Sequence, residues 1–419
     1  MVISKKIFLL TTLLVLVFLH VEGQQTISLP QAISLSREKN PLLKVELFNL
    51  DIARADIVTA KLHPNPVLNN QSLQLMRPSL FPENTNFTNA KNRQIWWQLT
   101  KPFELPALRK YRIEFAEQGA NLAQKNYTES ERSIFYNVAN TWLDAWYAKV
   151  NLDLIKKAQG NIDSLVYINQ FRLKNQVITS TDVIRAQLLA DQYNLQTKTA
   201  SQEYRNQLQT LKFLLGTTDS LNIDANEDIV KQIPADKIDS LLSFANANRA
   251  DIQAAQGNID LTTSNIGYQK AVAKPTPELG AIYNPQNSIP YVGFYGTIEI
   301  PIFSRNQGEI QKSKVLQAQA RQNLLVVQQQ VKTEITTAYS SFQTQKQNLE
   351  KFRDIMDKST QVLNSVKYAY LKGGTTIIDF LEAQRTWFDT QNMYNNALYS
   401  YRKSYIQLLY AAGLIQQLK

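Results

Sequence analysis

The sequence predicts a mainly α protein with a small β part, built as two tandem repeats of long antiparallel helices entered through short strands. Three observations carry that prediction. All 14 prolines fall in residues 30–106, at Pro234 or in residues 275–301, which leaves two long proline-free runs, 107–233 and 302–419. Proline breaks helix interiors, so these runs are where long helices form. The two halves align with each other, and apolar residues recur at helical spacing along both.

The repeat is visible residue by residue. Residues 182–216 align without a gap to 379–413, and eight of the 35 positions are identical: Asp182/Asp379, Ala186/Ala383, Gln187/Gln384, Ala200/Ala397, Tyr204/Tyr401, Arg205/Arg402, Leu211/Leu408 and Gly216/Gly413. Upstream, Pro64-Asn65-Pro66-x-Leu68 corresponds to Pro275-Thr276-Pro277-x-Leu279, and Pro102 to Pro301. The resulting organisation is a leader over 1–23, a first repeat over 24–216, a linker or equatorial insertion over 217–240, and a second repeat over 241–419.

In chain order, Lys5 and Lys6 precede an apolar run from Ile7 to Leu19, and Val21-Glu22-Gly23 places small residues at cleavage positions. That pattern predicts a secretory signal peptide cut before Gln24, since the run is short of the ~20 residues of a spanning helix. Residues 27–62 and 239–273 are helical in pattern. Strands follow over 67–76 and 92–101 in the first half and over 277–283 and 291–300 in the second. The last alternates Val292, Phe294, Ile298 and Ile300 with Tyr291, Tyr295, Thr297 and Glu299. The outgoing helices run to breaks at Leu173-Lys174-Asn175 and Leu371-Lys372-Gly373. Each is about 70 residues, or roughly 100 Å. The returning helices end near Gly216 and Gly413, residues suited to a left-handed cap. Long helices with apolar residues such as Val183, Ala186, Ala190 and Tyr193 on one side pack as coiled coils, and a single chain cannot bury all of that surface. Oligomerisation is expected.

Composition excludes several function classes. There is no cysteine, hence no disulfide and no lipid on an N-terminal Cys. Removing Lys5, Lys6 and Glu22 from 45 Lys+Arg and 35 Asp+Glu leaves 43 against 34, or +9. Those charges are scattered and form no basic stripe with interleaved aromatics, so no nucleic-acid partner is expected. His20 lies in the leader, which leaves His63 as the one histidine. Such a chain is poorly supplied for a metal site or a Ser-His-Asp arrangement. We expect no enzyme activity, metal or cofactor.

Strands of about ten residues suit an outer-membrane barrel, with Trp96, Trp97, Tyr291 and Tyr295 as candidate membrane-interface aromatics; a soluble β domain with a buried face suits them equally. Four strands cannot close a membrane barrel, whose minimum is about eight, so a barrel needs several chains.

Duplicated halves, a signal peptide, the Pro-x-Pro box before each first strand, and Tyr370-Leu371-Lys372-Gly373-Gly374 followed by Ile378-Asp379-Phe380-Leu381-Glu382-Ala383 together resemble the TolC family of outer-membrane efflux proteins. The resemblance covers essentially the whole mature chain. It implies a homotrimer in which each protomer gives four strands to one 12-stranded barrel in outer-membrane lipid, while its helices form a hollow periplasmic α-barrel. It implies an exit duct driven by an inner-membrane pump through a periplasmic adaptor. It places the adaptor contact at the tips, Leu173, Lys174 and Asn175 with Leu371, Lys372, Gly373 and Gly374. Asp379 and Glu382, spaced i, i+3, match an acidic ring at the entrance; the residues alone favour two solvated carboxylates at a helix start, a reading that Asp182 after the first break supports. Tyr370 and Asp182 match a closed-state latch whose basic partner is missing, the position being Thr375 here; Lys372 or Arg185 are substitutes. The Pro64-Asn65-Pro66 box and the chain length resemble the branch serving heavy-metal and drug pumps of the resistance–nodulation–division type. A type I protein-secretion duct, and a soluble periplasmic coiled-coil adaptor without a pore, are the alternatives. Against the second, this chain has two hairpins and too little β sequence between them.

Overall fold

The computed structural model describes residues 25–231, 237–286 and 289–418. The expected leader at 1–23 lies outside them. In chain order, with short 3₁₀ turns omitted, the elements are β1 (Gln25–Ile27), α1 (Leu29–Lys39), α2 (Pro41–Lys61), β2 (Val67–Gln74), β3 (Arg93–Pro102), α3 (Pro106–Lys174), α4 (Ser180–Leu215), β4 (Leu221–Ile223), α5 (Ile238–Asn248), α6 (Ala250–Val272), β5 (Glu278–Gln286), β6 (Ile289–Thr297), α7 (Gln307–Lys372) and α8 (Ile377–Ala411). The chain is mainly helical, as its repeats predict, with α3 at 69 residues and α7 at 66. The helical pieces expected over 27–62 and 239–273 are each split in two. Asn40-Pro41 divides the first, where Pro41 cannot continue the preceding helix and the Asn40 side chain caps the next, accepting from the Leu42 and Leu43 amides.

Two compact units form. One holds the described residues up to Val45 with Glu129–Arg249 and Gln329 onward; the other holds Glu46–Thr128 and Ala250–Gln328. Each draws on both sequence repeats.

In the first unit the repeats reuse one joint. Asn40 Nδ2 donates to the Leu214 carbonyl at 2.6 Å, and Arg249 Nη1 donates to the Ala411 carbonyl at 2.8 Å, so the junctions α1–α2 and α5–α6 each satisfy the last carbonyls of a returning helix. The Gly216 cap has φ +63°, and a Cβ there would lie 2.2 Å from the Lys39 carbonyl oxygen, so glycine is required on both counts. Trp142 and Trp146 are fully buried, and their indole N–H groups donate to the Ile27 and Ala225 carbonyls. β1 pairs in parallel with β4. The described part of the expected linker is therefore anchored in the core: Leu221, Ile223 and Ile229 are buried, and the Arg402 guanidinium lies 4.2 Å over Trp146 while donating to the Glu227 carbonyl. Burial pushes the Glu227 carboxyl above the ordinary range, even though Oε1 accepts from the Leu29 amide.

The second unit holds one antiparallel sheet in the order β2-β3-β5-β6. β6 ends at Thr297, short of the expected 300, although the alternation continues through Ile298 and Ile300. A strand needs a partner, and β5 begins opposite Thr297.

Candidate functional site

Two places hold the residues singled out by the sequence: the helix tips of the first unit and the sheet of the second.

At the first tip, α3 ends at Lys174 and the chain turns through Gln176 at φ 58°. Thr179 caps α4 by accepting from the Asp182 amide, and Asp182 Oδ2 accepts from the Thr179 amide and hydroxyl at 3.2 and 2.8 Å, a closed capping box. The second tip repeats the box with Thr376 and Asp379. Asp379 Oδ2 accepts from the Thr375 hydroxyl at 2.7 Å, the Thr376 hydroxyl at 2.7 Å and the Thr376 amide at 3.0 Å. These donors hold the Asp379 carboxyl below its ordinary range, the Thr375 hydroxyl first. Asp379 is thus folded back onto its own helix start. Glu382 is exposed and reaches Arg385 at 3.8 Å; both line an open groove between α4 and α8 together with Arg185.

Tyr370 and Asp182 have different partners. The Tyr370 ring is buried and packs 5.5 Å from Phe380, and its hydroxyl donates to Asn169 Oδ1 at 2.7 Å. The Arg172 guanidinium lies 4.9 Å over the same ring and donates to the Tyr370 carbonyl at 3.4 Å. Of the two suggested basic substitutes, Arg185 approaches Asp182 at 3.9 Å and Lys372 lies 5.9 Å over Tyr368. The base beside Tyr370 is Arg172, which sequence reasoning missed. The signal was there: Arg172 occupies the repeat position of Tyr370. Beneath the tip a core of Ile162, Leu165, Ala186, Tyr193, Leu363, Phe380 and Trp387 ties the four helices together. The Tyr193 hydroxyl, pushed up to about 12 mainly by burial, stays neutral. Lys174, Asn175, Leu371, Lys372, Gly373 and Gly374 are exposed and Leu173 is half-buried, while Phe171 and Val177 add exposed apolar surface that was not anticipated.

In the sheet, the strand register divides side chains between two faces. One carries Asn69, Gln71, Gln94, Gln98, Thr100 and Asn284, interspersed with Val67, Leu73 and Ile282. The other carries Leu68, Ile95, Trp97, Leu99, Tyr283 and Phe294, with Asn70, Ser72 and Gln74 as its polar residues on β2, and it is uncovered: Phe294 is 89% exposed and Leu68 64%. On β3 this apolar face reads Arg93, Ile95, Trp97, Leu99, Lys101. The two cations stand about 27 Å apart along the strand, or roughly 20 Å along the normal of a barrel whose strands tilt by about 40°, a little under its ~25 Å apolar band. Of the four candidate interface aromatics, only Trp97 lies on the apolar face. Trp96, Tyr291 and Tyr295 lie on the polar one, and the Tyr295 hydroxyl bonds the Thr100 hydroxyl across the sheet. Tyr283 and Phe294 were missed. Among the described residues no helix is long and apolar enough to cross a membrane.

The model of the family described as outer membrane efflux protein matches twice, over residues 32–217 and 241–414. The chain belongs to that family. It is an outer-membrane efflux channel component of TolC type. Among its relatives is the cobalt-zinc-cadmium resistance protein CzcC of Cupriavidus metallidurans, 24% identical over 394 residues, which span 90% of this chain and 88% of that one. The outer membrane protein TolC of Vibrio cholerae is 19% identical over 73% of each chain. The open-state MtrE outer membrane channel of Neisseria gonorrhoeae has the same fold, with a TM-score of 0.73 over 92% of this chain and 88% of its own at 17% identity. The double match of this efflux family follows the internal duplication.

Proposed function

We propose that three copies of this chain share one 12-stranded barrel in the outer membrane and form a passive exit duct, exported by a cleaved leader and fed by an inner-membrane pump through a periplasmic adaptor. The observation that carries this reading is a four-stranded sheet with one uncovered apolar face and two open edges. In lipid, each unpaired backbone group costs several kcal/mol, so such a sheet enters a membrane only when its edges are closed by others. The polar face then lines the lumen. No step of this work needs catalysis.

The cargo is small solutes, metal cations among them; the similarity to a cobalt-zinc-cadmium resistance protein along most of the chain favours cations. The adaptor meets the tips, where exposed Lys174, Lys372 and Gly374 sit beside the apolar Phe171, Val177 and Leu371. Glu382 is the entrance carboxylate that cations meet, while Asp379 serves its cap. Glu382→Gln is expected to lower cation selectivity in single-channel recordings, and Asp379→Asn to lower it less; the reverse order would return the ring to Asp379. The assembly is tested by light scattering on detergent-extracted protein, corrected for bound detergent. Three mature chains per particle are expected, and a monomer released without detergent would end the duct reading.

A further inference from the structure

Three aromatic residues of the sheet stand away from its apolar face. Trp96, Tyr291 and Tyr295 share the polar face with Glu278, which pairs with Thr297. A wall that only meets water has no use for large rings, and the way these are laid on β5 shows what they offer. We propose that they form a track on the lumen wall, one per copy, on which organic cations of quaternary-ammonium or aromatic type rest by cation–π contact as they leave. The track rests on the shared-barrel reading and deepens it by naming a solute class that the wall itself selects.

Tyr295 marks the first station. Gly280 of β5 stands between Thr100 of β3 and Tyr295 of β6. The Tyr295 hydroxyl nonetheless bonds the Thr100 hydroxyl, two strands away. Neighbouring strands are ~4.8 Å apart, so the phenol ring lies flat across β5 to reach it. Glycine makes this possible, because a Cβ at position 280 would overlap the ring. Covering a glycine with a ring stabilises a sheet, which accounts for the ring face turned to the wall. The side chain is only half-buried, and its opposite face is turned to the lumen. Glu278 lies two residues along β5 on the same side, about 7 Å away, so a cation over the ring has a carboxylate beside it.

Trp96 marks the second station. Its half-buried indole also leans onto β5. The indole N–H donates to Asn284 Oδ1 at 3.2 Å, with the amide oriented so that its nitrogen donates to the Ile95 carbonyl at 3.3 Å. Exposed Tyr291 stands opposite Asn284 on β6. Asn284 and Gly280 are four residues apart, so the stations lie about 13 Å from each other along β5. Charge favours the same class of solute. Among the described residues of the four strands the only bases are Arg93 and Lys101, both on the apolar face, and the only acid is Glu278, on the polar one. A quaternary ammonium gains from an aromatic face, whereas a small divalent metal ion gives up its water reluctantly and passes without resting.

The test uses the full-length protein in detergent, with benzyltrimethylammonium as the probe and benzenesulfonate as its anionic counterpart. Saturation-transfer NMR reads the bound probe, after subtraction of empty micelles, and light scattering reads the assembly of the same samples. The wild type is expected to bind the cation and not the anion. One exposed cation–π contact changes affinity by about two- to five-fold. Trp96→Leu and Tyr295→Leu are each expected to weaken the cation by about that factor, and the double variant to abolish its saturable signal. Tyr295→Phe, which keeps the ring, and Trp97→Leu, on the opposite face, are expected to bind as the wild type does. Glu278→Gln leaves every ring in place and is expected to weaken the cation by a similar factor, so it decides the matter where an aromatic variant does not assemble. In particles that scatter as trimers, equal binding of benzenesulfonate, an unchanged signal in the double variant, or an equal loss with Trp97→Leu overturns the track and leaves the shared barrel standing. Monomeric particles overturn both.

Discussion

The two hairpin tips follow one plan, and their differences show where the duplicated halves have specialised. Both start the returning helix with the same box, Thr179 with Asp182 and Thr376 with Asp379. Every helix start must satisfy its free amides, so that chemistry has a reason to stay the same in both halves. The turns differ. Five residues, 175–179, separate α3 from α4, and a non-glycine, Gln176, takes the left-handed conformation. Only four, 373–376, separate α7 from α8, and Gly373 takes it at φ +80°. The largest change is at equivalent positions on the outgoing helices. One half presents Arg172 and the other Tyr370, and the two meet, cation over ring. Duplication supplied two like surfaces; divergence made them complementary.

That asymmetry has measurable consequences, the largest in the buried partner. Tyr370→Ala removes a buried aromatic and strands Asn169, and should lower the opening free energy of the tips by about 3 kcal/mol. Arg172→Ala removes a partly exposed cation–π contact and should cost about 1 kcal/mol. Hydrogen exchange of the tip peptides reads both, and equal losses would mean that the pair acts as one inseparable unit. Next come the turns, where opposite signs are expected. Gly373→Ala should destabilise its tip and Gln176→Gly should stabilise the other, each by about 1 kcal/mol, because only glycine takes positive φ without a steric cost. Matching signs would show that turn length, not the left-handed residue, governs the tips.

The smallest effect is electrostatic. Asp379 has a third donor in Thr375, while the first half has Ile178 at that position. Its folded pKa is depressed, so the stabilisation it brings is present above the unfolded carboxylate value and is lost as pH falls through the lower folded value. Thr375→Ile should move that loss to higher pH, read as the Asp379 titration by carbon-detected NMR. An unmoved titration would assign the depression to Thr376 alone.

Much of this fold was legible in the sequence because its signals are long. Proline-free runs and 3.6-residue periodicity mark helices of 66 and 69 residues, and Gly216 and Gly413 stop the returning ones. Strand ends were harder. Alternation at Ile298 and Ile300 predicts a strand whose partner the single chain does not contain, and Pro285 hides the continuation of β5 to Gln286, opposite Ile289. The polar composition of the linker over 217–240 gives no sign that Leu221, Ile223 and Ile229 are buried. At the tip, Tyr370, Asp182 and Asp379 were found as residues but not with their partners. Arg172 lies 198 positions from Tyr370, beyond any local pattern.

The central claim is that one face of the sheet meets lipid and the other an open lumen. Neighbours Gln98 and Leu99 on β3 point to opposite faces, and both can carry the only thiol in the protein. The measurement is planar-bilayer recording of Gln98→Cys and Leu99→Cys channels during addition of a charged, water-soluble thiol reagent. The account predicts a stepwise fall in conductance for Gln98→Cys and none for Leu99→Cys. Equal reaction at both positions, or no channel at all from intact trimers, would contradict it.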